Sequence, residues 1–141
     1  MANADIGAKS EILISKSEAN QKYETRNKKP FDLEERTLAF TKSVISYIKS
    51  LPKTMVNIEI GKQLIRSSGS IGANYIEANE SLSKKDFIMR IRISKKEAKE
   101  SLYWLKLTEP FPADEAFRRK LVQETTEIMN ILGAIYRKVL I

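Results

Sequence analysis

The stretch SKKDFIMRIRISKKEAKESLYWLKL, residues 83–107, decides how the rest of the chain is read. Ser83 followed by Asp86 has the spacing of a capping box with Asp in place of the more usual Glu, so it marks a helix start. Pro110 and Pro112 stop the helix shortly after Leu107. Winding it at 100° per residue sorts its side chains into three sectors, where a surface helix needs two. Phe87, Ile91, Ala98, Leu102 and Leu105 form a core stripe. Lys84, Lys85, Arg92, Lys95, Lys96, Lys99 and Lys106 form a basic sector, and Met89, Ile93, Trp104 and Leu107 a second apolar one. A helix with one partner-facing stripe belongs to a bundle; the spare apolar sector has no use inside a single bundle.

Working outward, the same 3.6-residue period recurs on both sides. A first helix is expected from Asp32 to Leu51, with Leu33, Thr37, Phe40, Val44, Ile48 and Leu51 on one face, acidic residues in its first turn and Pro52 beyond its end. A second is expected from Asn57 to Asn79, with Ile60, Leu64, Ile71, Tyr75 and Ala78 along one side. Its centre carries several small residues, and each mid-helix glycine costs about 1 kcal/mol relative to alanine. Gly61, Ser68 and Gly72 share a face, which predicts a neighbouring backbone or a bulky aromatic packed close against them. A phosphate loop or a GxxG clamp over Gly69 to Gly72 is disfavoured, since the Lys-Ser/Thr ending and the strand-then-helix flanks are missing. A fourth helix is expected over Ala113–Leu140, with Phe117, Leu121, Thr125, Ile128, Leu132, Ile135 and Val139 aligned. Short connectors between four such helices imply an all-α, antiparallel, up-down-up-down bundle over residues 31–141. Residues 1–30, polar apart from Ile12, Leu13 and Ile14, read as a flexible N-terminal arm.

Composition narrows the function. The 141 residues contain no cysteine and no histidine, which removes thiolate metal sites, disulfides and the side chain best suited to proton transfer near neutral pH. The chain is expected not to be an enzyme and to need no metal or cofactor. Glu77, Glu97 and Glu100 are candidates for an inward carboxylate set, but the Glu-x-x-His pattern of di-metal bundles is impossible here, and pairing with Arg66, Arg90 or Tyr75 is the expected use of these acids. The N-terminus lacks a secretory pattern and no apolar run has the length of a membrane span, so a cytoplasmic location with no membrane partner is expected.

The net charge is +7, and residues 83–109 hold eight Lys or Arg against four Asp or Glu while the remainder is nearly balanced. One reading is contact with RNA or DNA backbones through Arg66, Lys84, Lys85, Arg92, Lys95, Lys96 and Lys99. The other is a solvated face in which Lys95, Lys96, Lys99 and Glu100 confer solubility. For Met89, Ile93, Trp104 and Leu107 the economical inference is an interface between copies of the chain, with Trp104 as anchor; the alternative is that the arm folds back and covers them with Ile12 to Ile14.

The segments SLPK (50–53), IGKQLIRSSGSIGAN (60–74), Glu77-Ala78, SKKDF (83–87) and EAKESLYWL (97–105) together resemble the 23S rRNA intervening-sequence proteins, small bacterial four-helix-bundle proteins. The resemblance covers the chain from Phe31 to the C-terminus. It implies a homopentameric ring, which suits the spare apolar sector. The chain is also similar to the accessory proteins of diversity-generating retroelements, basic pentamers that bind a reverse transcriptase and nucleic acid. A protein-interaction scaffold or accessory subunit for such an enzyme is therefore the second functional expectation. The resemblance brings no catalytic residues with it.

Overall fold

Four helices follow one another in the computed structural model, which describes residues 32–141: α1 (Leu33–Ser50), α2 (Met55–Asn79), α3 (Lys84–Leu107) and α4 (Glu115–Leu140). They form the expected antiparallel four-helix bundle, with no strand among the described residues. The ends follow local chemistry. Thr54 caps α2 by accepting from the Asn57 amide at 3.1 Å, so the helix starts two residues before the expected Asn57. Ser83 caps α3 by accepting from the Asp86 amide, as the spacing predicts. Before α4 the chain makes a tight 3₁₀ turn at Pro112–Asp114, and the α-helix begins at Glu115 rather than Ala113.

Asn57 is free to do something else. Its side-chain amide donates to the carbonyls of Pro52 and Glu109, at 3.0 and 2.9 Å, and its Oδ1 accepts from the Glu109 amide at 2.9 Å. One buried side chain thus ties the α1–α2 connector to the α3–α4 connector, which places both at the same end of the bundle, as the up-down-up-down order demands.

Thr37–Ile141 form one compact unit. Its core contains Phe40, Val44, Tyr47 and Leu51 of α1 and its end, Leu64, Ile71 and Ala78 of α2, Ile91, Ala98 and Leu105 of α3, and Leu121, Ile128 and Leu132 of α4. Tyr47, absent from the expected stripe, is fully buried; it packs edge-on against Phe117 and shares a 2.7 Å hydrogen bond with Thr108 at the end of α3. Ile48, which was expected in that stripe, is only half-buried.

The small residues of α2 are matched by α1, with β-branched side chains where an aromatic or a backbone was expected. A methyl on Gly72 would sit 2.7 Å from Thr37 Oγ1 and 3.2 Å from its Cβ, and one on Gly61 would touch Ile48 at 3.4 Å. Ser68 is buried, and its carbonyl accepts from Thr41 Oγ1 at 3.0 Å. The stretch that invited a phosphate-loop reading is continuous helix. The N-terminal arm of residues 1–30, including Ile12 to Ile14, lies outside the described residues.

Candidate nucleic-acid interface

α3 packs against α2 on one side and α4 on the other, and the two contacts differ in kind. Toward α2, the serines and Arg90 are hydrogen-bonded across the seam. Ser94 donates to the Ile71 carbonyl at 2.7 Å, and the buried hydroxyls of Ser67 and Ser101 share a hydrogen bond at 2.8 Å. Arg90 donates to Asn74 Oδ1 at 2.9 Å. Small hydroxyl residues let the two helices approach closely, and the partnering removes the cost of burying them.

Arg66 belongs to this side. It pairs with Glu100 through Nη2 and lies 3.7 Å from Glu97 through Nη1. The Trp104 indole nitrogen also donates to Glu100, at 3.1 Å. Glu97 is the strained member. Its Oε1 is buried without a hydrogen bond, and burial pushes its carboxyl above the ordinary 4.5, reinforced by neighbouring Glu100 and opposed by Arg66 and Lys96. Two of the three expected acid pairings therefore converge on Arg66. Arg66, expected both as a backbone contact and as a partner of these acids, stands here as the partner, with its side chain still exposed. Among the described residues, no three His, Cys, Asp or Glu come together as a metal site.

The outer and α4-facing side of α3 is different. Lys84, Lys85, Arg92, Lys95, Lys96, Lys99 and Lys106 are all exposed. Among the described residues none of them forms an ion pair; the pairs present there are Lys62 with Glu59, Arg66 with Glu97 and Glu100, and Arg118 and Arg119 with Glu115. By the 100° winding, Asp86 and Glu97 lie beyond the basic sector, and Glu100 sits at its edge, one turn from Lys96. Six of the seven expected nucleic-acid residues thus share one face free of carboxylate partners. α4 extends it: Arg137 is exposed next to the α3 cations, and Arg92 stacks over the Tyr136 ring at 5.9 Å. The wheel of a single helix could not have shown this extension.

The four expected interface residues run along the third side. Met89 and Leu107 are 46% and 41% exposed, while Ile93 and Trp104 are half-buried. None of the four is absorbed by the core. A second apolar strip, missed in the sequence, lies on α2, where Ile58, Ile65 and Ile76 are each more than two-fifths exposed and share a face with Gly69. Their spacing of seven and eleven residues was the available signal. Two grooves complete the surface. One of about 580 Å³ between α1 and α4 is lined by Phe40, Phe117 and Leu121 with Lys120 and Glu124; a smaller apolar one lies between α1 and α2 at Ile48, Ile58 and Ile65. No described helix is long and apolar enough to cross a membrane.

No curated protein matches the chain. A solved structure of a protein of unknown function from the S23 ribosomal protein family of Bacteroides thetaiotaomicron is similar at 32% sequence identity and a TM-score of 0.60, over 73% of this chain and 96% of that one. Residues 29–134 match the family described as 23S rRNA-intervening sequence protein, and with the bundle, the capped third helix and the small-residue second helix in place, the chain belongs to that family.

Proposed function

We propose that the protein is a non-enzymatic, self-associating RNA-binding protein of the cytoplasm that contacts phosphate backbones through the outer face of α3. The observation that carries this reading is the set of exposed cations Lys84, Lys85, Arg92, Lys95, Lys96 and Lys99 on one helix face, none of them in an ion pair among the described residues. Like charges repel, and a solvated face usually interleaves acids to relieve that. Here two of the three acids of the same helix, Glu97 and Glu100, face Arg66, and Glu100 also accepts from Trp104. The family's description, which refers to 23S rRNA, favours RNA over DNA. Contacts of this kind orient a backbone without reading bases, so binding should be tolerant of sequence. Titration of a labelled structured RNA at several salt concentrations tests it: binding that falls steeply as salt rises is expected, and no binding at low salt overturns it.

A second reading, compatible with the first, is that the assembly serves as an accessory scaffold for a reverse transcriptase or another nucleic-acid enzyme. It is favoured by the exposed apolar bands Met89–Leu107 on α3 and Ile58–Ile76 on α2, more apolar surface than an isolated bundle needs. A ring of five copies is the assembly that the family resemblance implies. Native mass spectrometry reports the stoichiometry, and a monomer at micromolar concentration would remove both the ring and the scaffold built from it.

A further inference from the structure

The four described glycines lie inside helices, and they differ in what surrounds them. Gly72 has no room for a side chain because Thr37 fills the space, and Gly61 meets Ile48. Gly133 is not explained that way. A methyl there would make only ordinary contacts, at 3.5 Å to Arg137 Nη1 and at 3.5 and 3.8 Å to Lys95 Cε and Nζ. Packing does not require glycine at this position, and helix propensity opposes it. What surrounds the missing side chain is two cations, one from each helix. Both nitrogens lie within 3.8 Å of a single point, so their separation is under twice that distance. No described carboxylate pairs with either of them, or with Arg92, which lies one turn from Lys95 on α3 and is held over Tyr136.

Two cations held that close without a counter-charge repel each other, and an anion between them reverses the sign of the interaction. The geometry suits one phosphate group: two of its oxygens, each accepting a charge-assisted hydrogen bond of about 2.8 Å, span such a gap. Arg137 reaches the position because a helical side chain leans toward the N-terminus and covers the residue four places earlier. Lys95 arrives from the basic face of α3. A Cβ at position 133 would occupy the floor of the notch.

We propose that the notch where α3 and α4 meet over Gly133 is a phosphate-binding site, in which Lys95 and Arg137 clamp one backbone phosphate of an RNA strand from opposite helices. This rests on the reading of α3 as an RNA-binding face and adds to it a defined point of contact and a second helix. The full chain and its Lys95→Gln, Arg137→Gln, doubly substituted, Lys99→Gln and Lys138→Gln variants are titrated with one structured RNA over a salt series. Lys95→Gln and Arg137→Gln should each weaken binding about fivefold to tenfold and lower the salt slope by about one. The double variant should lose no more than about threefold beyond the worse single one, because both side chains act on the same phosphate. Lys138, on the far side of α4, should matter less than about twofold. The site is overturned if Arg137→Gln behaves like Lys138→Gln, or if the two single effects simply multiply. If Lys99→Gln weakens binding while Arg137→Gln does not, the notch falls and the α3 face stands; if the unaltered chain binds no RNA, both fall.

Discussion

α2 and α4 both flank α3, yet they treat its polar side chains in opposite ways. Against α2, polar groups meet partners within the chain: Ser101 meets Ser67, Ser94 the Ile71 carbonyl, and Glu97 and Glu100 the charge of Arg66, although Glu97 Oε1 makes no hydrogen bond. Against α4, cations of both helices are gathered at Gly133, and nothing described answers them. Even the glycines divide this way. Gly72 of α2 serves a close helix approach, whereas Gly133 of α4 lies beneath the side chains of Lys95 and Arg137. A seam with its charges paired is a structural joint. A seam with one sign of charge left over carries a positive potential, which is the feature the proposed RNA contact draws on.

The contrast breaks most readily at the glycines. Gly72→Ala should destabilise the fold by about 2 kcal/mol, since the methyl meets the stiff, buried Thr37 side chain and overpacking outweighs the gain in helix propensity. Gly133→Ala should instead stabilise it by up to about 1 kcal/mol. Urea unfolding of the two variants decides the matter, and equal signs would show that the two positions do the same job.

A smaller effect is expected at the serine pair. Ser101→Ala or Ser67→Ala alone leaves a buried hydroxyl without its partner and should cost about 1–2 kcal/mol. Replacing both should cost less than the sum, as no polar group is then stranded. A double-mutant cycle with no coupling would mean that the α2–α3 seam does not depend on this bond.

The smallest effect is a pH dependence at Glu97. Its folded pKa lies above the ordinary 4.5 because of burial first and Glu100 second, so the folded state holds the proton more tightly than the unfolded one. Between 4.5 and the raised folded value the native chain carries more protons, and the contribution of this group to stability falls as pH rises through that window. Glu97→Gln should flatten that part of the profile in thermal unfolding measured from pH 4 upward. An unchanged slope would place the origin elsewhere.

Comparison of expectation and fold shows where each kind of information resides. Helix positions, the Ser83 cap and the three sectors of α3 were legible because capping and a 3.6-residue period are properties of a few neighbouring residues. Tyr47 is missing from the expected stripe because it and Ile48 flank that stripe on opposite edges, 100° apart, and the position of Phe117 and Thr108 selects which edge goes inside. Arg66 is expected both with the α3 lysines and as a partner of Glu77, Glu97 or Glu100, and only the packing of α2 against α3 selects Glu97 and Glu100, 31 and 34 residues away. The strip of Ile58, Ile65 and Ile76 was hidden by the opposite error, since apolar residues at helical spacing are most simply assigned to the core.

By itself, then, the sequence determined that this protein is four antiparallel helices, that the third carries a basic sector and a spare apolar one, and that no histidine or cysteine chemistry is available. Only the tertiary structure decided which charges are neutralised and which are not. A helix period specifies the angle of a side chain about its own axis, whereas pairing depends on how neighbouring helices are rotated against one another, and that rotation is settled by the packing of all four at once. Lys95 and Arg137, 42 positions apart, meet over Gly133 for that reason alone.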